Sequence, residues 1–146
     1  MSQSNAGPAR PLVRPLSPHL QVWRWHVTML GSILHRATGV ALYVGAAVVT
    51  AWLACAAAGP DAYGAFAHLG SSLIGLVVWI GLTLSAAYHF AAGVRHLVWD
   101  TGAGLTKKTA STLATLSIWF GVIVTAGFWV WMFASQHAIW NGRILL

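Results

Sequence analysis

Ser32 and Arg36 stand four residues apart in the run Ser32-Ile33-Leu34-His35-Arg36. On a helix they share a face, with His35 beside it. A hydroxyl and a guanidinium on one face can grip a carbonyl oxygen or a carboxylate. The same residues admit a plainer reading, in which Arg36 reaches lipid headgroups and Ser32 caps the helix.

A second cluster comprises Tyr88-His89 and Arg95-His96. His89 lies eleven residues before Asp100, which places it roughly 16 Å from that end of a helix. Its neighbours one turn away are Ser85, Ala86, Ala92 and Gly93, all small. An imidazole at that depth, in a collar of small side chains, has the recess that an axial haem ligand requires. The alternative is close helix packing, with His89 hydrogen-bonded to a neighbouring helix. Arg36, and also Arg95 and His96, are placed to neutralise haem propionates, or to meet water and headgroups. His96 cannot be a second ligand to the same iron, because ligands must face each other across the porphyrin and one helix cannot supply both. His68 and His137 sit toward the other surface and are expected to be solvated. A second axial ligand is therefore expected from another chain, or from a second copy of this one.

These residues must be positioned by membrane-crossing helices. The 146-residue chain is 58% hydrophobic and 7% charged, with eight Lys and Arg and only two acidic residues. Ten charges do not cover a water-facing surface, which excludes a soluble globular domain. Three charge-free stretches, Ala37–Pro60, Ala62–Val94 and Thr109–Gly142, run 24, 33 and 34 residues. Each exceeds the ~20 needed to cross hydrocarbon as a helix, and lipid leaves helices as the expected solution. The expected fold is all-α, an integral membrane protein with three spans at roughly 31–58, 68–99 and 111–135. Residues 1–29 form an N-terminal arm and 30–146 a single transmembrane domain. Gly59-Pro60-Asp61 separates the first two spans, and Asp100-Thr101-Gly102 ends the second.

Seven of the eight basic residues lie in the arm, at the start of the first span or around the second loop. The positive-inside rule then puts the N-terminus and that loop in the cytoplasm or mitochondrial matrix, and the C-terminus outside. Trp99, Trp119, Trp129, Trp131 and Trp140 include several near span ends, as interfacial anchors would. Met1–Arg24 is Pro-rich and polar, without the pattern of a secretory signal or transit peptide, which favours a bacterial inner membrane. The aromatic residues do not interleave with a basic stripe, so no nucleic-acid partner is expected. A single cysteine, Cys55, and no Gly-rich dinucleotide motif place iron–sulfur and flavin chemistry elsewhere.

Three segments carry a family likeness: Arg14-Pro15-Leu16-Ser17-Pro18-His19-Leu20; Trp25 with Ser32-Ile33-Leu34-His35-Arg36-Ala37-Thr38-Gly39; and His89 with Gly93-Val94-Arg95-His96-Leu97-Val98-Trp99-Asp100. In order and spacing the chain resembles the cytochrome b membrane subunits of succinate dehydrogenase, respiratory complex II. The resemblance implies a non-catalytic anchor for succinate itself, sharing a helical bundle and a haem b with a second small membrane-anchor subunit. An iron–sulfur subunit and a flavoprotein subunit would dock on the cytoplasmic side, and electrons would pass to ubiquinone. It further implies quinone contacts from Ser32, Arg36 and Trp25, propionate contacts from His35 and Arg36, and axial ligation of the haem iron by His89. Asp100, Arg95 and His96 take supporting roles. A menaquinol-linked fumarate reductase anchor and a haem-free structural anchor are the alternatives.

Overall fold

The computed structural model describes residues 23–143, with side chains through Gln136. The Arg14–Leu20 motif, and the side chains of His137, Trp140 and Arg143, lie outside the described residues. The chain forms α1 (Val27–Ala58), α2 (Pro60–Gly70), α3 (Leu73–Asp100) and α4 (Lys107–Arg143). Three of these, α1, α3 and α4, are long and apolar enough to cross a membrane, so the protein is an all-α membrane protein with three transmembrane helices.

α1 has 32 residues, about 48 Å at the helical rise, and so outruns a ~30 Å hydrocarbon core. It begins at Val27, four residues before the expected start, with His26 as N-cap. Its end is set by Gly59, whose φ of 117° is a conformation that glycine adopts without a Cβ penalty. Pro60 then opens α2 at a position where its missing N–H removes nothing.

The second span departs from the sequence expectation. His68 was expected at the start of that span, but it belongs to α2, an 11-residue helix with no buried residue. The signal Gly59-Pro60-Asp61 therefore begins a short helix as well as ending a long one. The span itself starts at Leu73, where the Ser72 side chain accepts a hydrogen bond from the Gly75 amide at 3.1 Å, the arrangement of an N-cap. Gly75 fits this corner because a Cβ there would strike the Gly70 carbonyl. α4 likewise extends past the expected 111–135 at both ends. Its start is capped by Thr106, whose hydroxyl oxygen accepts from the Thr109 amide at 3.3 Å.

α3 and α4 pack closely along small residues. Ser85, Tyr88, Ala92 and Arg95 on α3 are buried, as are Ala114, Ser117, Gly121 and Thr125 on α4. A Cβ on Gly121 would stand 2.9 Å from the Cβ and 3.1 Å from the Cα of Tyr88. In lipid, where apolar side chains gain little by meeting each other, such close backbone approach is what holds helices together. Farther along, Trp129 Nε1 donates to Thr83 Oγ1 at 2.9 Å. Trp129 thus ties α4 to α3 instead of serving only as an interfacial anchor. On its other side α3 meets Gly31, Gly39 and Gly45 of α1. α1 is the least covered of the three spans, and Val40, Tyr43 and Val44 along it are exposed.

Gly121→Val would force the α3–α4 seam apart. The expected loss is about 1–3 kcal/mol, typical of overpacking, read as a lower unfolding temperature of the purified protein in detergent. Gly127→Val, at a glycine with open space around it, should change that temperature far less.

Candidate functional site

The candidate site lies where the first half of α1 crosses the second half of α3. His89 is half-buried there. Its Nδ1 lies 3.2 Å from Thr38 Oγ1 and 3.2 Å from the His35 carbonyl oxygen. Thr38 Oγ1 itself donates to the Leu34 carbonyl at 2.8 Å, which leaves its lone pairs to accept. One tautomer satisfies all of these contacts: Nδ1 carries the proton and donates, assigned here from the hydrogen-bond network. Nε2 then keeps its lone pair, and among the described residues nothing bonds to it. Gly39 makes the approach possible, since a Cβ there would stand 3.2 Å from His89 Cε1.

The collar around His89 divides. Ser85 and Ala92 are buried in the α3–α4 seam, so for them the helix-packing account holds. Ala86 is exposed, and Gly93 has open space where a side chain would be. The open half of the collar flanks His89 one turn before and one turn after it. A histidine with Nδ1 fixed by a carbonyl, Nε2 bare and small residues beside it suits axial ligation of a planar group. Metal-binding histidines characteristically donate their other ring N–H in this way. Among the described residues no group of three or more His, Cys, Asp or Glu could hold a bare metal ion.

His35 stacks on His89 with ring centroids 4.2 Å apart and planes 15° from parallel. His96 lies 5.0 Å from His35, and Trp99 meets His96 edge-on at 5.1 Å. The structure thus joins His35, His89 and His96 into one column from mid-span toward the end of α3. Ser32 and Arg36 are exposed on α1, and Asp100 is exposed as the last residue of α3. Ser32 is in the second turn of α1, not at its N-cap, which removes the capping explanation. Trp25 precedes α1, 65% exposed, its ring 4.8 Å from that of Trp23. Arg95 differs from the other cations: it is 4% exposed, turned into the junction of α1, α3 and α4.

Three contributors have no role in the sequence reading. Thr38 orients His89, and Gly39 admits it. Tyr88 donates to the Gly31 carbonyl at 2.7 Å, tying α3 to the turn that carries Ser32. The signal for the first two was present in the run Ser32–Gly39. Tyr88 stands in the second polar cluster, but its partner is not readable there, because the acceptor is a backbone carbonyl of another helix.

A three-span helical membrane protein whose polar cluster opens outward from α1 is one built to be completed by neighbours. Residues 10–142 match the model of the family described as succinate dehydrogenase/fumarate reductase transmembrane subunit, and the chain belongs to that family. It is 36% identical over 121 residues to the succinate dehydrogenase cytochrome b556 subunit of Paracoccus denitrificans, covering 80% of this chain and 93% of that one. It is 31% identical to the subunit of the same name from Rickettsia prowazekii, covering 80% of this chain and 91% of that one. To the mitochondrial cytochrome b560 subunit of succinate dehydrogenase from Sus scrofa it is 38% identical over 98 residues, which are 64% of this chain and 56% of that one.

Thr38→Val removes the acceptor hydroxyl at nearly constant volume. It should lower the unfolding free energy by about 1 kcal/mol, the usual net value of such a bond, measured by denaturation of the purified protein. Thr38→Ser, which keeps the oxygen, should lose less than half as much.

Proposed function

We propose that this chain is the haem b- and ubiquinone-binding membrane anchor of a succinate:quinone oxidoreductase. The observation that carries the reading is the state of His89. Nδ1 is bound to α1 and Nε2 is bare, on the same helical crossing as the exposed Ser32 and Arg36. The names of the relatives, cytochrome b subunits of succinate dehydrogenase, support haem b and favour succinate oxidation over the fumarate reductase alternative.

His89 Nε2 would hold the haem iron, with a second ligand supplied by a second small anchor subunit. The bound haem supplies a one-electron carrier within the bundle. Thr38 and the His35 carbonyl hold the imidazole in the tautomer and orientation that ligation needs. His35 and Arg36 would neutralise the propionates. Ser32 would donate a hydrogen bond to a quinone carbonyl, Arg36 would stabilise negative charge as it develops on that oxygen, and Trp25 would wall the headgroup. Donors fixed before the charge arrives need no reorganisation when it does. His35 or Asp100 would pass protons inward from water, while Arg95 and His96 support the site from α3. Because Ser32 and Arg36 are exposed in the single chain, the pocket would close only against the iron–sulfur subunit and the second anchor, with the flavoprotein beyond. The basic-residue distribution supports an orientation with the arm over residues 1–29 in the cytoplasm, and the similarity to subunits from Paracoccus denitrificans and Rickettsia prowazekii supports a bacterial inner membrane.

Ser32→Ala and Arg36→Leu should each lower succinate-dependent quinone reduction by the assembled complex, Arg36→Leu by about tenfold or more, as charge-assisted bonds are the stronger ones. Succinate oxidation by an artificial electron acceptor should survive in both variants. Equal loss of the two activities would mean failed assembly and would contradict the assignment.

A further inference from the structure

Arg95 is a full positive charge buried inside the bundle without a counter-ion among the described residues. It is 4% exposed, and its Nε and Nη1 have no hydrogen-bond partner among the described residues. The sequence holds two carboxylate side chains, Asp61 and Asp100. Asp61 sits in the first turn of α2, at the far end of the spans, and Asp100 is the exposed last residue of α3. What surrounds the guanidinium is of another kind. Nη1 lies 3.0 Å from where a Cβ on Gly31 would be, and the Ala114 methyl borders the same spot at 3.6 Å. The guanidinium carbon is 5.0 Å from the centroid of the Trp99 ring, a cation–π contact that holds the group without neutralising it. Gly31 lies near the start of α1, where the helix dipole is itself positive.

An unpaired buried charge is among the most costly features a membrane helix can contain. Packing alone does not call for it, since an unbranched apolar side chain would fill the same volume. Its position gives the charge a use. Arg95 and Tyr88 both lie on the buried face of α3 against Gly31, which immediately precedes Ser32: Tyr88 donates to its carbonyl, and the Arg95 guanidinium fills the space beside it without a hydrogen bond. We propose that Arg95 is a positioning residue for the redox site, holding the inner end of the bundle at positive potential and the Ser32 turn of α1 in place. The proposal rests on the haem and quinone reading above. A fixed positive charge favours the more negative state of each redox group near it. A unit charge about 10 Å from a redox group, at an effective dielectric near 20, changes its reduction equilibrium on the order of tenfold.

The test uses the assembled complex carrying Arg95→Gln or Arg95→Met, with Arg95→Lys as the variant that retains charge. Redox titration of the haem should show the two neutral variants shifted toward the oxidised form by about tenfold in the reduction equilibrium. Arg95→Lys should lie between them and the wild type. Gly31→Ala keeps the charge but crowds the guanidinium. It should raise the KM for quinone severalfold with the haem equilibrium changed by less than about twofold. A haem equilibrium in the assembled neutral variants equal to the wild type would overturn the proposal, since an acid from a neighbouring subunit would then cancel the charge. Failure of both neutral variants to assemble would overturn it as well, by making Arg95 one half of a structural ion pair. A wild-type complex lacking any b-type absorption band would remove the functional reading itself, whereas a normal wild-type band with unshifted variants removes this inference alone.

Discussion

The hydrogen bond from His89 Nδ1 to the backbone of α1 is the interaction on which the site depends. It crosses two membrane helices at the level where an unpaired imidazole would be costly, and it uses acceptors that α1 can spare. Thr38 turns its own proton back onto the Leu34 carbonyl and offers a lone pair. The His35 carbonyl accepts from the ring as well. Once Nδ1 is committed, the ring can no longer turn to present that nitrogen elsewhere, and Nε2 is the atom left for a ligand. Structural and chemical requirements therefore meet in one contact. Gly39 is its steric condition and the His35 stacking its lateral support.

The rest of the bundle follows from how helices associate without water. Burial of large apolar side chains contributes little, and among the described residues no large side chain is fully buried. Close approach at small residues does the work instead: Gly121 against Tyr88, Ala92 and Ser85 against α4, and Gly31, Gly39 and Gly45 against α3. This packing turns the α3 face of Tyr88 and Arg95 inward. It leaves α1 with Ser32 and Arg36 on an uncovered surface. A single chain thus carries a closely packed α3–α4 pair and an α1 that leaves Ser32 and Arg36 uncovered.

Much of this was legible in the sequence, for definite reasons. Charges are excluded from hydrocarbon, so three charge-free stretches mark three spans without any knowledge of packing. A histidine at mid-span is conspicuous by its cost, and the family motifs around Ser32–Gly39 and His89–Asp100 concentrate polar residues where lipid forbids them. Boundaries were less legible. Gly59-Pro60-Asp61 carries the same signals whether the chain enters a loop or a short helix, and only the Ser72 cap moves the second span to Leu73. Burial direction was hidden too: Arg95 and His96 are sequence neighbours, yet one is enclosed among three helices and the other joins the histidine column. Hydrophobic periodicity is uninformative on a helix that is apolar on all sides. Ser85 and Ala92 show the same limit, because small residues serve helix contact and cofactor room equally well.

The central claim is that His89 supplies an axial ligand to haem b. Its most direct test is the reduced-minus-oxidised optical spectrum of the purified wild-type complex beside that of an assembled His89→Ala complex. The account predicts a b-type band in the wild type and its loss in His89→Ala, with the other subunits still present. A band of unchanged size and position in the assembled variant, or no band in a wild type that reduces quinone, would contradict it.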